Sequence, residues 1–313
     1  MWTRRAMLGG AAAIGVSALL PKGSLAATDQ LRVGLRAEPP HLDPTLDGNG
    51  ATNDVSYQNL FEGLTSVDEA GKVGPGLAKS WTVSADALTY VFILQDEVRY
   101  HDGTSFDADH VVFSLTRLLS RQGPKRALFD AIATVTAIDP GSVKLVLKHA
   151  DPQVLFNLGR PEAAIVAPES ADNNRMVPIG TGPFALVQWD RGQRLLLQRN
   201  EDYWGPHPRM NEAIFVFIAD PAAALEALAA HAIDGYPEFT AAEVPDRLKG
   251  DPAFKVVSGL AAGSPRVGVW SAGLEGEWAN APLGGCPLAA IRKTGDAAAP
   301  APQPGPPDAA DSD

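Results

Sequence analysis

Apolar and polar positions along the chain follow two rhythms. Leu31-Arg-Val-Gly-Leu35 alternates with the period of a strand, and Glu38-Pro39-Pro40 breaks it. The run Asn53 to Leu60 predicts a short helix, with Gly63 ending the region. Strand signals return in Ser80-Trp-Thr-Val83 and Thr89-Tyr-Val-Phe-Ile-Leu94, separated by the turn-rich Ser84-Ala-Asp86. In Phe106-Asp-Ala-Asp-His-Val111 the rhythm changes to helical spacing. Asp107 is placed to cap the helix, Phe106 to staple onto Val111, and Val111, Leu115, Leu118 and Leu119 share one face. Two hairpins follow, 133–147 around Asp139-Pro140-Gly141 and 184–198 around Asp190 to Gln193. Ala213–Ile218 predicts a strand. Asp220-Pro221 opens a helix that carries Leu225 and Leu228 inward, and Phe254-Lys-Val-Val257 is the last strand the pattern predicts. This irregular interleaving predicts a mixed α/β lobe.

From Gly259 the composition shifts. Residues 259–313 hold 30 Gly, Ala or Pro among 55, too little apolar surface to offset the entropy of ordering, so a disordered C-terminal tail is expected. The opposite end predicts export. Arg4-Arg5 precedes the apolar run Met7–Leu20, and Ser24-Leu25-Ala26 ends it with small residues, marking residues 1–26 as a signal peptide with the lobe beginning at 27. The arginine pair fits a twin-arginine signal; an ordinary Sec signal that contains two arginines is the alternative. No cysteine follows the cleavage site to take a lipid, and no later stretch is apolar enough to anchor in a membrane, so a soluble periplasmic product is expected. The chain's net charge of -11, deepening to -14 once Arg4, Arg5 and Lys22 are removed, argues against nucleic acid as a partner. The single cysteine, Cys286, excludes an internal disulfide and a cysteine metal cluster.

Several segments occur in one order: Pro40-His-Leu-Asp-Pro44, Asn59-Leu-Phe-Glu-Gly-Leu64, Leu77-Ala-Lys-Ser-Trp81, and Leu88–Leu94 leading to Val98-Arg-Tyr-His-Asp-Gly103 and Phe106–Ser114. Gly180-Thr-Gly-Pro-Phe184, Leu197-Gln-Arg-Asn200 with Tyr203-Trp204, and Ala232-Ile-Asp-Gly235 complete the set. Over residues 31–258 the chain resembles the family-five bacterial extracellular solute-binding proteins, the peptide/nickel group serving ATP-binding-cassette importers. Gln95 stands where that family usually has Arg or Lys, and His231-Ala232 where Gly-Glu is common. The resemblance implies the first lobe, residues 27–258, of a periplasmic-binding-protein-like two-lobed fold. It also implies a peptide or related small solute as ligand and membrane permease subunits as partners. The pattern stops near residue 258. A reading-frame change near codon 259 and a natural tail both account for this, and resequencing the locus distinguishes them.

A lobe without its opposite wall is expected to bind solute weakly or not at all. At about 25 cal/mol per Å2, losing some ~150 Å2 of apolar contact costs on the order of 4 kcal/mol, about 1,000-fold in affinity. The residues expected at the lip of a cleft are polar or aromatic groups near glycine after strands: His41, Leu42 and Asp43; Ser56, Tyr57 and Gln58; Thr181 and Gly182; Tyr236 and Pro237. Catalytic chemistry is weakly represented. His101-Asp102-Gly103 suits a tight turn, and Glu38, Asp43 and Glu62 have no spacing that singles them out as a pair. Gly180-Thr-Gly182 lacks the Lys-Ser/Thr of a phosphate loop, the six histidines show no ligand spacing, and no metal or cofactor is implied. A transport binding protein is therefore the leading expectation. A non-binding remnant, a partner-binding lobe, and an enzyme or sensor on the same scaffold are the alternatives.

Overall fold

The computed structural model describes residues 30–272 except 48, 69–70, 122–123 and 262–263, together with the short strands Leu274–Glu275 and Arg292–Lys293. The expected signal segment, Cys286 and most of the expected tail lie outside the described residues.

Two sheets organise the lobe. The smaller is an antiparallel four-stranded sheet ordered β4-β5-β7-β6, built from β4 (Ala78–Val83), β5 (Thr89–Leu94), β6 (Ile132–Asp139) and β7 (Ser142–Leu147). Its buried face alternates as the sequence does: Tyr90, Phe92 and Leu94 from β5 and Val143, Leu145 and Leu147 from β7 enter one core. Helix α2 (Ala108–Ser120) covers that core with Val111, Leu115 and Leu118, and Leu119 is partly buried against it. Asp107 caps α2 as its sequence requires, accepting from the backbone N–H of Asp109 (3.0 Å) and His110 (3.4 Å). His110 completes a capping box by accepting the Asp107 N–H at 3.2 Å. Phe106 and Val111 belong to the same cluster, consistent with the staple.

The larger sheet has seven strands in the order β12-β13-β11-β1-β10-β9-β8. Its members are β1 (Gln30–Leu35), β8 (Phe184–Asp190), β9 (Arg194–Arg199), β10 (Glu212–Phe217), β11 (Gly235–Phe239), β12 (Phe254–Ala261) and β13 (Ser264–Ser271). Strand β1 lies at the centre, parallel to β10 on one side and to β11 on the other. The chain passes from β10 to β11 through α4 (Pro221–Ala229), capped by Asp220 with Pro221 in its first turn; Ala224 and Leu228 are buried and Leu225 only partly. A small antiparallel pair, β2 (Thr65–Val67) with β3 (Val73–Pro75), forms a separate two-stranded sheet between α1 and β4 in the chain.

Two expectations shift. The first helix, α1, spans Gly50–Ser56 rather than 53–60, because Asn49 caps it by accepting from the Thr52 N–H at 3.1 Å. The strand pattern expected to end at Val257 continues: β13 pairs with β11 and β12, and Val267, Val269 and Trp270 are buried. Pro265 and Gly268 dilute the apolar content of this segment, but the Val267/Val269 alternation puts one face in the core.

Candidate functional site

In an open sheet with parallel strands, ligands gather at the carboxyl ends, where the connections from neighbouring strands diverge. Here that point is the end of β1, because its neighbours β10 and β11 are joined across it by α4. Five charged side chains converge there. Arg36, the residue after β1, donates its backbone N–H to Glu238 of β11 and its guanidinium to Glu243 at 2.6 Å. Arg266 of β13 donates to Glu238 at 2.8 Å and stands 4.0 Å from Asp54 of α1.

Three carboxylates face two guanidiniums, so the group carries one negative charge only when Asp54 is ionised. Burial and the nearby Glu238 charge push the Asp54 carboxyl up to about 7, with Arg266 opposing. The Thr240 backbone N–H and the Arg36 side chain hold Glu243 below the usual carboxylate range, and Glu243 in turn raises Arg36. Arg36 Nε is buried and has no hydrogen-bond partner among the described residues. Unsatisfied buried groups carry a desolvation cost that a bound polar ligand relieves.

The ten residues expected at a cleft lip separate into groups. Ser56 is fully buried on α1. Tyr236 is also buried, its hydroxyl donating to the Ile218 carbonyl at 3.0 Å, and Pro237 precedes Glu238 on β11 half-buried. His41, Leu42 and Asp43 are built into the core instead: Asp43 is fully buried and accepts from Thr45 Oγ1 (2.6 Å) and Arg117 (3.3 Å), and His41 Nε2 pairs with Asp47 at 3.0 Å. A buried carboxylate satisfied by an arginine and a hydroxyl is an internal brace.

Tyr57, Gln58, Thr181 and Gly182 meet at a second place, around Glu62. Tyr57 and Gln58 line a pocket of about 240 Å3 together with Glu62, Ser66, Tyr203 and Trp204. The Glu62 carboxylate accepts from Thr181 Oγ1 (2.8 Å), Tyr203 OH (2.8 Å) and Trp204 Nε1 (3.0 Å), and burial still pushes it up to about 7. Thr181 and Gly182 lie behind this wall. Gly180 and Gly182 permit it, since a Cβ at Gly180 would stand 1.9 Å from the Leu60 carbonyl oxygen and one at Gly182 2.4 Å from that of Asn59. His101 fastens the turn. Its Nδ1 accepts the Gly180 N–H at 3.3 Å, which leaves Nε2 to donate to the Gly182 carbonyl at 3.0 Å, and burial lowers its pKa to about 4. Sequence reasoning names Glu62 only as one of three scattered carboxylates. It misses Arg36, Asp54, Glu238, Glu243 and Arg266, which carry no local signal because the fold alone assembles them.

A parallel-centred sheet, a smaller antiparallel sheet and a charged cluster at the strand ends define a lobe of periplasmic-binding-protein type. Solved structures agree. AgaA from A. tumefaciens R10 in complex with agropinic acid superposes with TM-score 0.69 at 28% identity, over 74% of this chain and 48% of that one. The oligopeptide-binding protein AppA from Bacillus subtilis with a nonapeptide gives 0.66 at 27%, over 73% and 47%. Among curated proteins, di/tripeptide-binding protein 2 of Pseudomonas aeruginosa (strain UCBPP-PA14) is 30% identical over 260 residues, 72% of this chain and 48% of that protein. The glutathione-binding protein of Escherichia coli (strain K12) is 28% identical over 218 residues, covering 67% of this chain and 42% of its own length. Residues 72–282 match the family model described as bacterial extracellular solute-binding proteins, family 5 Middle, and the chain belongs to that family. The match runs past residue 258, in keeping with β13 as part of the lobe. The chain spans about half the length of the curated relatives it matches.

Proposed function

We propose that this chain binds a peptide or related small solute at the crevice beyond β1, as the periplasmic solute-binding component of an ATP-binding-cassette importer. The observation that carries this reading is the cluster of Arg36, Asp54, Glu238, Glu243 and Arg266 at the carboxyl ends of β1 and β11. Ionised carboxylates suit an ammonium group. Export by the segment 1–26 places the protein where such an importer collects its solute, and membrane permease subunits are its partners. No helix among the described residues is long and apolar enough to cross a membrane. Among those residues no group of three His, Cys, Asp or Glu side chains is placed to hold a metal.

The test is calorimetric titration of residues 27–313 with a mixture of di- and tripeptides. Weak saturable binding, in the millimolar range, is expected, and Asp54→Asn with Glu238→Gln should weaken it at least tenfold. No saturable heat at tens of millimolar, or binding indifferent to both substitutions, would remove this crevice as the site.

A further inference from the structure

The Glu62 pocket is separate from the crevice and independent of the reading given to it. Its wall carries a carboxylate whose three partners, Thr181, Tyr203 and Trp204, are all neutral. Burial and these three donors are the influences on its charge, and neither lysine nor arginine is among them. Two oxygens accept about four hydrogen bonds, so one position on Glu62 stays open to a donor.

The remaining walls favour the same kind of ligand. Tyr203 and Trp204 lie with ring centroids 5.5 Å apart, and the Tyr57 side chain also borders the space. Aromatic faces attract a cation, most strongly where water is thinned. Gln58 adopts φ 63, an uncommon conformation for a side-chain-bearing residue, and its half-buried side chain adds a polar group to the pocket. At about 240 Å3 the space is below the roughly 300 Å3 at which drug-sized ligands begin to fit, so it suits a single small group.

We propose that this pocket is a subsite for a small primary ammonium group on a short alkyl chain, with Glu62 as its counter-charge and the Tyr203 and Trp204 rings as its walls. The pocket lies where the two cores meet, since Tyr57 belongs to the core of the large sheet and Trp204 packs against that of the small one. An occupant there would touch both.

The experiment uses n-butylammonium chloride as probe, read by calorimetry and by tryptophan fluorescence, with n-butanol as the neutral isostere. Saturable binding at millimolar concentration or below is expected, with n-butanol and the Glu62→Gln variant each at least tenfold weaker. Because Glu62→Gln also alters three internal hydrogen bonds, Ser66→Trp is measured beside it. That substitution narrows the pocket and leaves Glu62 and its partners in place, so it should abolish binding while the melting temperature holds. Absence of saturable binding to the unmodified chain, equal binding of n-butanol, or undiminished binding to both variants would overturn the proposal.

Discussion

Trp270 and Gly235 form a pair whose coupling is measurable. They are cross-strand neighbours in β13 and β11, and the indole is fully buried. A Cβ built on Gly235 would stand 2.0 Å from Trp270 Cε3 and 2.3 Å from Cζ3, so the ring lies directly over the glycine. Trp270→Ala removes a large buried side chain and should cost about 3–5 kcal/mol. Gly235→Ala forces the ring out of its place in a filled core, an overpacking cost of about 1–3 kcal/mol. In the double variant the new methyl enters space the indole has vacated, so the two costs should not add. A favourable coupling of about 1–3 kcal/mol is expected for residues in contact. The assay is equilibrium urea unfolding of the wild type, both single variants and the double variant, with midpoint and slope fitted for each. Strict additivity would refute the packing of Trp270 on Gly235. A Trp270→Ala cost below about 1 kcal/mol would refute the burial of β13.

Gly180→Ala should be among the most damaging small substitutions, at about 3 kcal/mol or more, because its methyl meets a backbone oxygen and the turn carrying Thr181 and His101's partners must move. Chemical denaturation measures it, and a loss within experimental error would show that the turn relaxes freely. For His101 the folded pKa of about 4 lies below the ordinary 6.5, so the neutral ring's contribution is complete above pH 6.5 and fades as pH falls to 4. Glu62 titrates in the opposite sense over a neighbouring range, so the useful quantity is the stability gap between wild type and His101→Gln. That gap should narrow by about 3 kcal/mol from pH 7 to 4, and a constant gap would contradict a buried neutral ring. Sequencing the exported protein from its N-terminus should begin at Ala27; material that retains Met1 in the periplasm would contradict the signal assignment.

The elements legible in the sequence are those whose causes are local. Asp107 caps α2, Asp139-Pro140-Gly141 turns one hairpin, and Asp190 to Gln193 turns the other; each needs only a few neighbouring residues to state its geometry. The α1 boundary is less legible because the capping Asn49 sits in a stretch of small polar residues that offers several rival starts. β13 is hidden by averaging: Pro265 and Gly268 dominate the composition, although Val267 and Val269 alternate correctly. The site is the least legible part. Arg36, Asp54, Glu238 and Arg266 are spread over two strands, a helix and the turn after β1, and only the parallel and antiparallel registers bring them together. Motif resemblance does better for the Glu62 cluster, since Glu62, Thr181, Tyr203 and Trp204 all occur in segments that the family shares.

The central place of β1 also governs the order in which the protein is assembled. Gln30 pairs beside Glu212, 182 residues later, and Val33 pairs with Gly235 later still. At about 5–20 residues per second, roughly 10–40 s of synthesis separates β1 from its first partner strand. The small sheet has no such delay: β4 to β7 lie between residues 78 and 147 and pair only with one another. It can therefore close while β1 is still an unpaired strand with both edges open, the state in which strands recruit wrong partners. Pairing of β1 waits for β10 and β11, so substitutions there should lengthen this exposed interval in the cell even where the finished protein tolerates them.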